Sequence, residues 1–363
     1  MKAISVFRST AWAGAVTLAL GMQAALAEPL VYVPLGSEGK IVVVDAAKDQ
    51  IIDTIGGVAA VHGLAETPDG RFLIAGSLKE RDAGSSVPEK PSGMAEGEHA
   101  AHHADTKMPN SKKADSKIDG AVSTVSVIRV ADRSIVRRID VPGAVHHVAV
   151  SPDGRFAVVT RLNAGGVSVI DLTSYEVTAN LLTRSSPNYA VFSPDGGRVY
   201  VSNAGNDTVS EVDTGQWVVR RNILVGSSPE HMAPSPDGQR LYVANVDDGT
   251  VSEVATENGS TVRTFDIGGS LHGIDISEND STLFVSAREQ DKLVAINLST
   301  AKTREVPLAP APYHLASVDG TGKLYISSAG QPNIWVIDQK NLAVLGKISI
   351  GGRGHQMALS SGS

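Results

Sequence analysis

A repeat of 42 residues constrains the fold of this chain more than any other feature. The tetrapeptide SPDG begins at Ser151, Ser193 and Ser235, at a constant spacing of 42 residues. The corresponding turn position falls at Thr67, Ser277, Val318 and Ser360 in the other copies. A fixed period of this length indicates a repeat architecture in which each copy is one supersecondary unit.

Each copy contains four segments with the pattern of β-strands. Runs such as RLYVANV are followed by alternating segments such as TVSEVD and then by segments such as WVVRRNILV. Four short strands rich in β-branched residues, separated by Pro-Asp-Gly turns, are typical of one propeller blade. Seven turn positions therefore predict an all-β fold, a seven-bladed β-propeller.

The two ends of the chain supply complementary strands. The C-terminal GHQMALSSGS provides one first strand, and LVYVPLG, KIVVVDA and QIIDTIG near the N-terminus provide second, third and fourth strands. We therefore expect N/C-terminal closure of the last blade, which would remove the exposed edges of an open sheet.

Residues 1–27 have the pattern of a secretory signal peptide. Lys2 and Arg8 precede the apolar run AWAGAVTLALGM and the small-residue site ALA at 25–27. The run is shorter than the roughly 20 apolar residues that span a bilayer, which disfavours a membrane anchor. The sequence predicts export to the periplasm and a single mature domain, 28–363.

Charge and cysteine content narrow the possible partners. Removing Lys2 and Arg8 changes the formal charge from −7 to −9, which disfavours nucleic acid and anionic membranes as partners. The chain contains no cysteine, so a metal site would use imidazole and carboxylate ligands. We expect a monomer whose partner is a metal ion.

An insertion at 79–121 separates the first two turn positions by twice the usual spacing. It is rich in Lys, Glu, Ser, Pro, Gly and Ala and has no aromatic residue, so it is predicted to be disordered. A degenerate eighth blade is the alternative. The segment contains His99, His102 and His103, which we interpret as an accessory metal-binding loop; an incidental solvated linker is the other interpretation.

The remaining seven histidines fall in two adjacent columns of the repeat. The earlier column, five residues before the turn position, reads His62, His146, Asn188, Glu230, His272, Tyr313 and His355. The later column reads Gly63, His147, Tyr189, His231, Gly273, His314 and Gln356. Both columns lie at the start of the innermost strand of a blade, so they predict a ring of imidazoles at one mouth of the central channel.

This ring is predicted to bind a metal ion. A single histidine in such a strand is usually structural, but clustered imidazoles repel when protonated, whereas Zn²⁺ or Cu²⁺ requires several converging nitrogen ligands. Because adjacent strand residues point to opposite sides, we expect the earlier column to face the axis. The candidate ligands are His62, His146, His147, Glu230, His231, His272, His314 and His355. Zinc is the expected ion, and copper is the alternative because Met94 and Met108 flank the loop histidines.

The segments YVSNAGNDTVSEVD and YVANVDDGTVSEV resemble the YVTN family of periplasmic β-propeller repeats. This resemblance covers the mature chain outside the insertion. The chain is also similar, in its expected histidine site, to propeller-type periplasmic zinc metallochaperones. That similarity implies a zinc carrier that delivers its ion to the periplasmic solute-binding protein of a metal importer.

Other functions remain open at this stage. A redox propeller related to haem d1 domains would also collect histidines at its axis. A metal-dependent lactonase or lyase would use an ion with an open coordination position, with Glu230 or a noncoordinating histidine as the base. An interaction scaffold would bind no metal.

Overall fold

The described residues form seven antiparallel sheets, as expected from the repeat; six have four strands, and one has a short fifth strand. The computed structural model describes residues 29–83, 85 and 120–360. Within these residues the chain contains strands and no helix, and hence no helix that could cross a membrane. The predicted signal peptide lies outside the described residues and stays a prediction.

The blades are numbered along the chain, with strands given from the axis outwards. Blade 1 contains β4 (Val61–Glu66), β5 (Phe72–Ser77), β7 (Ala121–Arg129) and β8 (Ile135–Pro142), with β6 (Arg81–Asp82) paired to the start of β7. Blade 2 contains β9 (Val145–Val150), β10 (Phe156–Arg161), β11 (Gly166–Asp171) and β12 (Glu176–Leu182). Blade 3 contains β13 (Pro187–Phe192), β14 (Arg198–Asn203), β15 (Thr208–Asp213) and β16 (Val218–Leu224).

Blade 4 contains β17 (Pro229–Pro234), β18 (Arg240–Asn245), β19 (Thr250–Ala255) and β20 (Ser260–Asp266). Blade 5 contains β21 (Leu271–Ile276), β22 (Thr282–Ala287), β23 (Lys292–Asn297) and β24 (Thr303–Pro307). Blade 6 contains β25 (Pro312–Val318), β26 (Lys323–Ser328), β27 (Asn333–Asp338) and β28 (Val344–Ser349).

Blade 7 is built from both ends of the chain. It contains β29 (Ala358–Leu359), β1 (Leu30–Leu35), β2 (Lys40–Asp45) and β3 (Gln50–Gly56). β29 pairs with β1 through Val31 opposite Leu359 and Tyr32 opposite Ala358. The predicted seven-bladed propeller and its terminal closure are confirmed.

The hydrophobic core lies between neighbouring blades. One cluster, for example, joins Ile74 and Val127 of blade 1 to Val148, Val159 and Ile170 of blade 2. The second and third strands are buried along most of their length, whereas fourth strands such as β12 alternate between exposed and half-buried residues. This burial explains why the inner strands read as continuous apolar runs and the outermost strands do not.

The SPDG motif closes the turn between the first and second strands. In blade 2, the Ser151 hydroxyl accepts a hydrogen bond from Phe156 N at 2.9 Å and donates one to Asp153 at 2.5 Å. Asp153 in turn accepts from Arg155 N, and Gly154 adopts a φ of +72°. The hydroxyl of Ser151 lowers the pKa of Asp153, so the turn keeps its carboxylate ionised. The motif therefore recurs because it stabilises the turn between the first and second strands.

The insertion leaves from the end of the blade that carries the histidines. Ser77, the last residue of β5, pairs with Val61, which precedes His62. The start of the predicted disordered segment differs from expectation, because Arg81 and Asp82 continue the sheet as β6 beside the first residues of β7. His99, His102 and His103 lie outside the described residues, and their role stays a prediction.

Candidate metal centre at the channel axis

A β-bulge at the start of the innermost strand turns both histidine columns toward the channel. In β9, Val145 pairs with Arg161 and Val148 pairs with Val159, so His146 and His147 together oppose Thr160. The same register shift occurs in the first strands of blades 1, 3, 4, 5 and 6. A bulge places two residues opposite one and re-aims a side chain. We expected the earlier column to be the inner one, and the structure instead brings both columns to the axis.

Hydroxyl groups hold the bulges in place. Thr160 Oγ1 accepts a hydrogen bond from His147 N at 2.9 Å and donates one to the carbonyl of Asn188 in the next blade, also at 2.9 Å. Ser286 links Gly273 N to the Tyr313 carbonyl in the same way. These bonds satisfy backbone groups that the bulge leaves outside the ladder and tie neighbouring blades together.

Two glycines of the later column mark where adjacent blades approach most closely. A Cβ atom at Gly63 would lie 2.8 Å from both the His146 carbonyl oxygen and His147 Cα, and one at Gly273 would lie 2.7 Å from the Tyr313 carbonyl oxygen. A side chain at either position would collide with backbone. The later column therefore contributes three imidazoles, from His147, His231 and His314.

These three imidazoles meet across the axis. The ring centroids of His147 and His231 are 4.9 Å apart, those of His231 and His314 are 5.0 Å apart, and those of His147 and His314 are 5.8 Å apart. The three residues belong to blades 2, 4 and 6, which are not neighbours, so the later column lies nearest the axis. The earlier column surrounds it: His62 packs on His146 at 4.3 Å and on His355 at 4.4 Å.

Among the residues that the structure describes, four sets of three side chains can hold a metal ion. Within each set the ligand atoms lie within 4.8 Å of one another, and every member is buried. The sets are His62, His146 and His147; His62, His314 and His355; His147, His231 and His314; and Glu230, His231 and His272. Zinc bonds to imidazole nitrogen are about 2.0–2.1 Å long, so modest side-chain movement would close any of these sets around an ion.

Backbone carbonyls orient several of the rings. His62 Nδ1 lies 2.9 Å from the His146 carbonyl, and His147 Nδ1 lies 2.8 Å from the Asn188 carbonyl. Because a carbonyl only accepts, each Nδ1 donates its proton, and in a neutral imidazole Nε2 then carries the lone pair. A metal-binding histidine usually has its second nitrogen anchored in this manner.

His231 is the most exceptional member of the cluster. Its side chain is buried, and neither ring nitrogen has a hydrogen-bond partner of good geometry among the described residues. Burial lowers the pKa of His231 to about 3, assisted by the charge of His146 and opposed by the backbone of His272. The imidazole is therefore neutral at ordinary pH and offers a lone pair to a ligand.

Glu230 provides the only carboxylate of the four ligand sets. Burial raises its pKa to about 7, against a lowering effect of Arg288 and with a smaller raising effect of Asp247. Its Oε2 atom lies 3.4 Å from His272 Nδ1. At neutral pH this carboxyl can hold or release a proton, as required of a metal ligand in competition with protons or of a general base.

All eight residues predicted for the axial site converge at the channel mouth. Further side chains there lay outside that prediction, among them Tyr189, whose ring lies 4.8 Å from those of His147 and His231. Asn188 and Tyr313 occupy the earlier column, and their place in that column was the available sequence signal. Arg288 and Arg353 lie in neighbouring positions of the repeat. The sequence signal for these two arginines was a charged residue at a repeat position that is occupied by apolar or small residues in the other copies.

The fold and site define a seven-bladed propeller with a buried histidine cluster on its axis. Residues 115–310 match the family model described as Lactonase, 7-bladed beta-propeller. The match spans more than half of the chain, and the protein belongs to this family. No curated protein sequence matches the chain.

Solved structures share the fold at low identity. The periplasmic gluconolactonase PpgL of Pseudomonas aeruginosa is 16% identical, with a TM-score of 0.68, and the alignment covers 92% of this chain and 99% of that one. The dihydro-heme d1 dehydrogenase NirN, solved in complex with DHE, is 15% identical with a TM-score of 0.62; coverage is 88% of this chain and 63% of NirN. Hydrazine synthase of Kuenenia stuttgartiensis is 18% identical with a TM-score of 0.60, and the alignment covers 77% of this chain and 76% of the hydrazine synthase chain. The YVTN and zinc metallochaperone resemblances stay predictions.

Proposed function

We propose that this protein is a periplasmic metal carrier whose axial histidine cluster binds Zn²⁺. The observation that carries the proposal is His231, a buried imidazole whose two ring nitrogens form no hydrogen bond of good geometry within the described part of the chain. Burying such polar atoms without a partner costs free energy, and a bound ion would recover it. His231 belongs to two of the four ligand sets.

Neutral nitrogen ligands and one carboxylate suit zinc. Copper is the alternative ion, favoured by the methionines beside the loop histidines, Met94 and Met108. We expect the ion to be cargo, handed to the periplasmic solute-binding protein of a metal importer.

The overlap between ligand sets supports a carrier. His62, His147, His231 and His314 each belong to two sets. An ion that moves from one set to another can therefore keep one bond while it exchanges others. A rigid four-ligand structural site would lack this property.

A metal-dependent hydrolase of lactones is the second candidate. Membership of the lactonase propeller family and the raised pKa of Glu230 favour it. Glu230 would accept the proton of the attacking water while the ion polarises the lactone carbonyl.

Elemental analysis of untagged protein purified from the periplasm tests the proposal. We expect zinc at one or more equivalents. We expect His231→Ala to lower that content, whereas His99→Ala, a change in the insertion, should leave the tight equivalent in place. Protein that contains no transition metal and takes up none would contradict the proposal. Visible absorbance from a haem would instead favour the redox class, and metal-dependent turnover of a lactone would favour the hydrolase.

A further inference from the structure

We infer that the mouth above the histidine cluster binds a small monocarboxylate, which Arg288 and Arg353 hold. The inference that an anion binds rests on the arginines alone and does not require a metal ion. The additional step, that the anion and the metal ion strengthen each other's binding, rests on the proposed function.

Both arginines interrupt the repeat. Arg288 directly follows the second strand of blade 5, where the other blades have Gly36, Leu78, Leu162, Ala204, Val246 and Ala329. Arg353 lies two residues before His355, where the other blades have Ala60, Ala144, Ser186, Ser228, Ser270 and Ala311. A position that is apolar or small in six copies and cationic in the seventh departs from what the fold requires. Such departures are expected at functional sites.

Neither guanidinium forms a hydrogen bond or ion pair with a carboxylate in the part of the chain that the structure describes, although the charge of Arg288 acts on Glu230 over a longer distance. Arg288 and Arg353 are both partly buried, and Arg288 lies over the ring of Tyr313. The arginines of the outer strands behave differently: Arg263, for example, pairs with Glu253 at 2.6 Å. Partly desolvated guanidinium groups without partners are poised to pair with an external anion.

Arg288 lies near Tyr313 of the cluster, and Arg353 lines a cavity with His355 of the cluster. Arg288 Cζ lies 5.9 Å from the ring centroid of Tyr313. Tyr313 stacks on His272 at 3.9 Å and lies 6.0 Å from His355. Burial and the charge of Glu230 raise the pKa of Tyr313, and the charges of Arg288 and of Arg353, on the next blade but one, oppose this rise. The positive charge of both is thus directed at one side of the cluster.

A cavity of about 340 Å³ connects Arg353 to the histidines. His62 and His355 line it together with a group of small residues, including Gly36 and Gly330. A Cβ atom at Gly36 would lie 2.9 Å from the Val61 carbonyl oxygen and 3.7 Å from His355 Nε2, so this wall has no room for a side chain. The volume is that of a small-molecule pocket.

The charged side chains at the mouth favour a ligand with a single carboxylate group. An arginine binds a carboxylate through two parallel N–H donors, which fixes the orientation of the ligand. Glu38 also lines the cavity and would repel a second carboxylate. Two cationic groups at the mouth would also repel an approaching metal ion, and a carboxylate between them would remove this barrier.

Lactate and its neutral counterpart propane-1,2-diol provide a matched pair of probes. Isothermal titration of metal-free protein should detect lactate and not the diol. Arg288→Leu with Arg353→Ala restores residues that other copies of the repeat contain, so the fold should persist. We expect this double variant to lose lactate affinity at least tenfold. Arg129→Ala, which removes an exposed arginine paired with Asp132, should bind lactate as the unaltered protein does.

The second arm measures zinc occupancy at a buffered free Zn²⁺ concentration. Lactate should raise occupancy in the unaltered protein and leave it unchanged in the double variant. If zinc binds but lactate does not, or if the double variant binds lactate as tightly, the inference is wrong and the proposed function stands. If lactate binds through the arginines but zinc does not bind, the anion site stands and the proposed function is wrong.

Discussion

Two adjacent residues of the cluster, Glu230 and His231, respond to the same burial in opposite directions. Burial disfavours the charged form of each side chain, so it raises the pKa of Glu230 to about 7 and lowers that of His231 to about 3. Both side chains are consequently neutral in mildly acidic solution. A neutral His231 avoids repulsion with the neighbouring imidazoles and keeps its lone pair available to an ion.

The raised pKa of Glu230 predicts how stability depends on pH. In the folded, metal-free protein the carboxyl binds its proton up to about pH 7, whereas in the unfolded chain it releases it near 4.5. This group therefore stabilises the fold fully below about pH 4.5, and that contribution is lost as pH rises through 7. Glu230→Gln should raise the free energy of unfolding at pH 8 by roughly 1–3 kcal/mol and change it little at pH 4.5. Urea unfolding at both pH values tests this, with the exposed Glu257→Gln as control; equal effects at both pH values would contradict it.

Zinc affinity should increase with pH across the same range. Below about pH 7 an ion that uses Glu230 must displace its proton, and imidazole ligands must also be neutral. We expect competition titrations to give weaker binding at pH 5.5 than at pH 8, and Glu230→Gln to flatten part of this dependence. Affinity that is constant between these values would count against a site made of histidines and a carboxylate.

At the scale of the strand, the bulge decides which side chains reach the axis. The repeat predicted that His146 and His147 begin a strand, but regular alternation would have turned one of them away. The bulge depends on the hydroxyl of Thr160, which comes from the next strand and bonds to a third. A pairing of that kind cannot be derived from the period of the sequence alone. The position of Arg81 and Asp82 in a short strand was missed for the same reason.

A substitution at Gly63 tests how closely the innermost strands of blades 1 and 2 must approach each other. Gly63→Ala would place a methyl group 2.8 Å from backbone atoms of His146 and His147, and we expect a loss of about 1–3 kcal/mol in stability. Because His146 and His147 are themselves displaced, zinc affinity should fall too. Gly56→Ala is the matched control, since a Cβ atom there would contact nothing within 4 Å. Thermal unfolding and zinc titration of both variants measure the difference; similar behaviour of the two would show that the strands can separate at low cost.

At the scale of the whole molecule, the repeat made the blade number and the terminal closure predictable. Seven turn positions gave seven sheets, and the strands missing from one end were found at the other. The histidine columns were predictable for the same reason, because equivalent positions of a propeller form a ring. The contacts between the histidines of blades 2, 4 and 6 could not be predicted from the sequence, because they depend on the size and tilt of all seven inner strands.

The propeller and the insertion should contribute separately to metal binding. β5 and β7 pair directly from Phe72 opposite Arg129 to Gly76 opposite Val125, so blade 1 does not depend on the intervening segment for its register. Deleting residues 94–108 should therefore preserve the fold and the tight axial site, while it removes weak additional equivalents and slows metal loading, because the loop histidines raise the ion concentration near the mouth. Isothermal titration, stopped-flow loading and circular dichroism compare this deletion with a full-length variant in which His99, His102 and His103 are replaced by serine. The two changes should have the same effect; a deletion that eliminates tight binding while the serine variant retains it would show that the segment contributes ligands or structure that the axial histidines lack.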